Sequence, residues 1–554
     1  MQERREAKRG EVDRLTALET SSEDEAYISG TRTLFEEIAQ EMQRRLARLY
    51  EEAEALMGGP APCRYTVMGL GSMALKQMTP YSDLEFAILM EDNASEEVLE
   101  EHREYFRRLS HLVHLKVINL GETTLPMSKY QVSLDHLGKK GVNFDLGGKT
   151  PLGRKDKPHL VKPYELIQPL KEMVRYLTNE GERIEHMDKL LPFILEVTCH
   201  VHGDRELYAD YVERKNRFLI EGQTKEGIPV YKARALQKLL EGVVEMNYQG
   251  GGAGIAKPSK GDLADFAPNL SQDQEGRLYD VKKEIYRLPD RLLYRLAMYY
   301  GLLPESGWDA VLQLASRGII NEEAAGHLQY AASFATMLRL RTYTHHGQQK
   351  EVMAVLRSDR SEEERAQAVQ RQFRLPPEAL QSGGSLFKYY YTAMPLHRKM
   401  TSFFQQAGMR RQLLALCGGN EELLQIVRSL LSEGSDSSQE EVHFFEAEPF
   451  YEAGPRVDAT IYERLMQTSA VIGCYEEMIK AEREKEEVDQ KELARLCSNA
   501  GVHYEALGET RKGLAFFEEA LEMRRTLFQG QAHPQLAKSL NKVGLAYKAL
   551  GEPR

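Results

Sequence analysis

Arg64-Tyr65-Thr66-Val67-Met68-Gly69-Leu70-Gly71-Ser72-Met73-Ala74-Leu75-Lys76-Gln77-Met78-Thr79-Pro80-Tyr81-Ser82-Asp83-Leu84-Glu85-Phe86-Ala87-Ile88-Leu89 is the stretch on which the reading of this chain turns. Its first seven residues alternate and are rich in β-formers, so they read as a strand. Gly71-Ser72 breaks that strand. Glycine lets an anion approach the backbone, and the N–H groups of a helix start favour one. Met73 to Met78 is expected as a short helix ended by Pro80. A second apolar strand follows, carrying Asp83 and Glu85. Residues two apart in a strand share a face, with Cα atoms roughly 6.5–7 Å apart. Both carboxylates are therefore expected to converge on one magnesium site, with Leu84 and Phe86 turned to the core. Hard oxygen ligands suit magnesium, which bridges carboxylates to substrate phosphates. A phosphate cradle followed by an acidic pair is the layout that nucleotidyl transfer needs. Taken singly, Asp-x-Glu is commonly a solvated strand edge and Gly-Ser a turn; their union between two apolar strands is the signal.

The stretch resembles the nucleotidyltransferase superfamily of DNA polymerase beta. It is most similar to the N-terminal domain of bacterial PII-signal-protein uridylyltransferases and to relatives that carry a helical substrate-binding domain. Their pattern, Gly-Ser-Tyr-Gly-Arg-Gly-Glu, two residues, then Pro-Tyr-Ser-Asp-Ile-Asp, is matched in register by Gly71, Ser72, Pro80, Tyr81, Ser82, Asp83 and, for the last Asp, Glu85. The family's Gly-Arg-Gly-Glu becomes Ala74-Leu75-Lys76-Gln77, so its arginine is lost at Leu75. Lys76 restores the charge but not the planar fork. The resemblance implies a small mixed α+β sheet domain using Mg2+ or Mn2+ with a nucleoside triphosphate as substrate. It implies metal at Asp83 and Glu85, and nucleotide at Gly71, Ser72, Lys76 and Ser82. Polymerase-beta-like sites often add a third carboxylate from a neighbouring strand. Asp145, in Asn143-Phe144-Asp145-Leu146-Gly147-Gly148-Lys149, is the candidate metal ligand or base, with Lys149 beside phosphate; an incidental Asp in a hairpin-type turn is the competing reading.

With 554 residues the chain should hold several domains. Its formal net charge of −11 gives no global basic footprint for nucleic acid, which weakens a reading as an oligonucleotide synthase. The five cysteines (Cys63, Cys199, Cys417, Cys474, Cys497) lack Cys-x-x-Cys spacing and read as reduced thiols rather than zinc ligands. No apolar run reaches the ~18 residues of a membrane span, and the charged start lacks a signal-peptide core, so a cytoplasmic protein is expected.

The expected organisation is a charged tail (1–25), a nucleotidyltransferase domain (26–160), an all-α domain (161–431), an acidic linker (432–455) and a repeat region (456–554). A long amphipathic helix should run to about Leu56, with Ile28, Leu34, Ile38, Met42, Leu46 and Leu49 on its apolar face. His114 to Leu120 is expected as a third strand, and Glu182 to Val201 as a helix. His200 to Leu207 resembles the Val-x-Gly-Asp-x-x-Leu segment of the relatives' helical domain. Asp280, Lys282, Tyr300-Gly301 and Leu338 to Arg341 resemble the same domain. Lys282, Lys283, Arg287, Arg339 and Arg341 are candidates to meet phosphates, against the commoner reading of solvated helix cations.

Near the C-terminus, Ala494, Cys497, Gly501, Tyr504, Leu507 and Gly508 recur as Ala537, Leu540, Gly544, Tyr547, Leu550 and Gly551, each 43 residues on. This resembles tetratricopeptide repeats of the kinesin-light-chain type, an α-solenoid whose concave surface binds partner peptides. The pattern stops after one helix of a new repeat, so a longer array is expected. The function implied is transfer of a nucleoside monophosphate (UMP or AMP) to an acceptor, a protein recruited by the repeats. The alternative is a non-catalytic, nucleotide-sensing scaffold.

Overall fold

The computed structural model describes residues 2–19, 23–92, 95–118, 152, 165–178, 190–224, 227–241, 244–247, 255–258, 260–268, 270, 278–354, 357, 359–416, 444–529 and 531–552. The chain divides into two compact units. The first comprises residues 1–267, 280–351 and 395–450, and the second residues 268–279, 352–394 and 451–554.

The first unit begins with α1 (Gln2–Glu19) and α2 (Asp24–Leu56). The charged start, expected as a tail, is instead a helix that buries Val12 and Leu15. Its last residue, Glu19, forms a fully buried ion pair with Arg341 and accepts a hydrogen bond from the Tyr27 hydroxyl at 3.1 Å. Charge density suggested a solvated segment, but the distant arginine that neutralises Glu19 could not be seen locally. On α2, Leu34, Ile38, Met42, Leu46 and Leu49 are buried as the 3.6-residue period requires, whereas Tyr27 takes the buried place expected of Ile28.

A four-stranded mixed sheet follows, in order β3-β2-β1-β4. It comprises β1 (Tyr65–Gly69), β2 (Phe86–Met90), β3 (Ile167–Pro169) and β4 (Cys199–Gly203). β1 runs antiparallel to β2, with Tyr65 opposite Met90 and Gly69 opposite Phe86. β2 runs parallel to β3, and β1 antiparallel to β4 across a bulge between Val67 and Met68. Every residue of β1 and β2 is buried, which requires cover on both faces. Between β1 and β2 lies a single turn, α3 (Gly71–Ala74). After β2 comes α4 (Glu96–Ile118). α2 and α4 pack on each other, and α5 (Leu170–Thr178) and α7 (Arg205–Glu221) likewise. The one-turn α6 (Leu191–Ile194) lies between them in the chain.

Two expectations are corrected here. His114 to Ile118 is the last turn of α4, not a strand; its apolar residues continue the helix's buried face, where Val113 and Val117 are 0% exposed. Cys199–Gly203 is a strand rather than the end of a helix, because β1 offers it a free edge. The sheet thus draws β3 and β4 from beyond residue 160.

The rest of the unit is largely helical. It includes α8 (Val230–Leu236), the strand pair β5 (Val244–Asn247) and β6 (Ile255–Pro258), α9 (Asp262–Asp265), and a π-helical turn at Val281–Tyr286 leading into α10 (Arg287–Tyr299). Next come α11 (Gly307–Ser316), capped by Ser306, and α12 (Glu322–His346), capped by Asn321. Glu196 is buried between Arg234 at 2.9 Å and Arg295 at 2.7 Å and ties the residues after α6 to α8 and α10. Phe444 and Phe445 pack on Phe403, with ring centroids 4.9 Å apart in each case. These aromatics, expected within a linker, are docked in this unit.

In the second unit, α13 (Glu362–Phe373) starts with a capping box between Ser361 and Glu364. A bent helix, α14 (Ser385–Leu416), contains Pro395 and contributes residues to both units. Then follow α15 (Pro455–Arg464), α16 (Thr468–Arg483), α17 (Gln490–Ala506), α18 (Thr510–Phe528) and α19 (Pro534–Ala549), each packed on the next in sequence. Gly501 permits the closest approach: a Cβ there would lie 2.5 Å from the Phe517 ring and 2.9 Å from the Gly513 carbonyl. Among the described residues, no helix is long and apolar enough to cross a membrane.

Candidate active site

The site is built on the β1–α3–β2 connection. The ladder between β1 and β2 continues one residue past β1, where the Leu70 N–H donates to the Glu85 carbonyl at 2.9 Å. The chain then turns at Gly71, whose φ of +57° lies in the left-handed region. The Leu75 N–H closes the turn on the Gly71 carbonyl at 3.1 Å, and the Gln77 N–H reaches the Ser72 carbonyl at 3.0 Å. The turn is shorter than expected. Lys76, at φ +55°, ends it before Pro80 is reached.

Phe86 packs edge-on against Tyr50 of α2, with centroids 5.8 Å apart. Leu84 and Phe86 are buried, and the alternate residues Asp83 and Glu85 are half-buried. Asp83 and Glu85 lie just before β2, in the last residues of the connecting loop, not within the strand expected to carry them. Glu85 is folded back over the turn: a Cβ added to Gly71 would overlap the Glu85 carboxylate. The acid that immediately precedes β2 and the glycine of the turn thus meet directly.

The connecting loop is held from beneath. Ser82 Oγ accepts from the Thr79 N–H at 3.0 Å and lies 2.9 Å from Thr79 Oγ1. Arg339 Nη2 donates to the same Ser82 oxygen at 3.2 Å, and Arg339 Nη1 to the Gln77 carbonyl at 3.4 Å. The Gln77 side chain is buried and accepts from the Tyr286 hydroxyl at 3.2 Å. Ser82 is thus 2% exposed, with its hydroxyl engaged in the loop. Lys76, by contrast, is on the surface and pairs with Glu305 at 2.5 Å.

Beside the turn, Cys199 of β4 crowds Gly69, where a Cβ would come within 2.7 Å of its sulfur. Burial pushes the Cys199 thiol up to about 12 and the Tyr208 hydroxyl up to about 12. Burial also pulls the Lys215 ammonium down to about 8, although Glu196 and Glu305 act the other way. The Cys199 thiol and the Tyr208 hydroxyl therefore stay protonated near neutral pH.

Of the residues expected at the site, the structure brings Glu85 against Gly71, leaves Asp83 half-buried two residues earlier, buries Ser82 in the loop, and turns Lys76 to Glu305. Asp145 and Lys149 lie outside the described residues. Among the described residues, no three His, Cys, Asp or Glu side chains form a metal-holding group. Arg341 belongs to the Glu19 pair and Lys282 to Glu351, at 2.7 Å. His202 meets Glu54 at 3.1 Å and stacks on Tyr50. Glu305 was not singled out from sequence, because it has no motif and meets Lys76 only through the fold. Arg339 could be marked as a cation but not as the support of the loop.

No curated protein matches the chain. Residues 13–126 match the family model described as "Putative nucleotidyltransferase DUF294". That span contains α2, β1, α3, β2 and α4, and with them Gly71, Ser72, Asp83 and Glu85. The match supports a nucleotidyltransferase-superfamily domain at the N-terminal end of this chain, and hence, at a coarse level, a transferase.

Proposed function

We propose that this chain transfers a nucleoside monophosphate from a nucleoside triphosphate to an acceptor, a protein that the C-terminal repeats recruit. The observation that carries the reading is the meeting of the acidic segment before β2 with the Gly71-Ser72 turn, Glu85 lying against Gly71. Two half-exposed carboxylates two residues apart suit a hard divalent cation, so Asp83 and Glu85 would hold Mg2+ or Mn2+. When bound, such an ion neutralises phosphate charge and lowers the pKa of an attacking hydroxyl. The first amides of the Gly71–Ala74 turn, which a helical turn leaves without partners of its own, would donate to the polyphosphate. The acceptor oxygen attacks the α-phosphorus, the bond to the β-phosphate oxygen breaks, pyrophosphate leaves and the acceptor proton passes to solvent. Arg339, through Ser82, keeps the loop before Asp83 in position.

Labelled ATP or UTP, with the full chain and candidate acceptors, tests this. Incorporation should be lost in Asp83→Ala while the melting temperature is kept. Absence of incorporation from any triphosphate, with any acceptor offered, would refute it. One observation favours the second reading, a nucleotide-sensing scaffold: Lys76, the cation of the motif, is already paired with Glu305. Triphosphate binding without turnover would select that reading.

A further inference from the structure

The motif itself offers a polyphosphate little positive charge. Leu75 is apolar, and Lys76 is engaged by Glu305. A triphosphate needs cations beyond the metal, and planar guanidinium groups serve best. The described residues hold such a group one side chain away from the loop.

Tyr286 ends the π-helical turn Val281–Tyr286 and hydrogen-bonds Gln77 of the loop. π-Helical turns recur at functional sites. Arg339 lies over the Tyr286 ring at 4.4 Å and bonds Ser82, the residue before Asp83. Arg287 follows Tyr286 directly, and Arg291 is one helical turn further along α10. Two carboxylates act on these three guanidinium groups: Asp290, which lies 3.5 Å from Arg291 Nε, and Glu351, which acts on Arg339. On the far side of the turn, Lys282 is matched by Glu351. Arg287 is half-buried and, among the described residues, makes no ion pair. Burial and the neighbouring Arg291 hold its guanidinium below the ordinary arginine value, although Asp290 acts the other way.

We propose that Arg287, with Arg291 beside it, forms an anion subsite for the polyphosphate chain of the nucleotide, reached from the motif loop across the Tyr286–Gln77 contact. This deepens the transferase reading and rests on it for the identity of the ligand. Arg339 is a positioning residue, since its hydrogen bonds go to the loop. Arg287 and Arg291 are the groups that meet the anion.

The test is calorimetric titration of the full chain with inorganic tripolyphosphate and, separately, with adenosine and uridine. Tripolyphosphate should bind, and Arg287→Gln should weaken it tenfold or more. Arg287→Lys should lose less, and Arg291→Gln about threefold. Because Arg287 has no ion pair to lose, Arg287→Gln should keep or raise the melting temperature, whereas a structural arginine would lower it. Wild-type tripolyphosphate affinity, within twofold, in both Arg287→Gln and Arg291→Gln overturns the inference. So does a wild-type chain that ignores tripolyphosphate at millimolar concentration. Should Arg287→Gln fail to fold, Arg291→Gln, on a partly exposed side chain, decides alone. Nucleotide incorporation is scored separately. Arginine-dependent tripolyphosphate binding without incorporation retains the subsite and rejects the transferase; incorporation without such binding does the reverse.

Discussion

Gly71→Ala is the sharpest perturbation of the site, because two costs coincide at one atom. The backbone sits at φ +57°. An L-residue there loses about 1–2 kcal/mol to contact between Cβ and its own carbonyl. The new methyl would also occupy the space of the Glu85 carboxylate, which must swing away. Forcing a side chain off its rotamer costs about 0.5–1.5 kcal/mol. The total is roughly 1.5–3.5 kcal/mol by these two terms. Gly58→Ala provides the reference: its φ is +78°, and a Cβ there meets nothing within 4 Å. That variant carries only the backbone term, about 1–2 kcal/mol. Urea denaturation of both variants isolates the overlap as their difference. Adding Glu85→Ala to Gly71→Ala should remove it, giving a coupling of about 0.5–1.5 kcal/mol in a double-mutant cycle. The functional readout is Mn2+-dependent nucleotide binding. If Glu85 is a ligand, its displacement in Gly71→Ala weakens binding at least tenfold, about 1.4 kcal/mol, while Gly58→Ala leaves it unchanged. Equal destabilisation of the two glycine variants, with Mn2+ affinity intact in both, would refute the reasoning: Glu85 would not lie against the turn.

Glu19→Gln removes the charge of a pair whose side chains are both 0% exposed, leaving Arg341 buried without its carboxylate. The expected loss is about 3–5 kcal/mol, seen as a lower urea midpoint; a loss under 1 kcal/mol would mean that α1 does not dock. Asp204 caps α7 and bonds Arg64 Nε at 2.7 Å, and that hydrogen bond brings its carboxyl down to about 2. A depressed folded value means that the contribution to stability is complete above the unfolded value near 3.9 and is lost as pH falls through about 2. An NMR titration should place the Asp204 midpoint near 2 and move it upward in Arg64→Ala; an unchanged midpoint would reject Arg64 as the cause.

The β1–α3–β2 stretch was legible because its signals are local. Strand alternation, Gly71 at a left-handed position and the two-residue spacing of Asp83 and Glu85 are properties of adjacent residues. The apolar face of α2 was legible for the same reason, since a 3.6-residue period needs no partner to be seen. The misreadings fall where partners are remote. Cys199–Gly203 becomes a strand because the β1 edge accepts it, and the end of α1 is tied down by Arg341, over three hundred residues away, which pairs with Glu19.

The sequence by itself determined that a glycine turn and an acidic pair would lie on one short β–turn–β segment, because side-chain alternation and backbone freedom act over a few residues. Only the tertiary structure decided that Glu85 lies on Gly71, that Ser82 is locked in the loop by Arg339, that Lys76 is drawn to Glu305, and that Arg287 makes no ion pair among the described residues. Each of those contacts joins segments whose separation along the chain carries no local pattern. Burial and charge pairing choose among many possible partners only when the chain has packed.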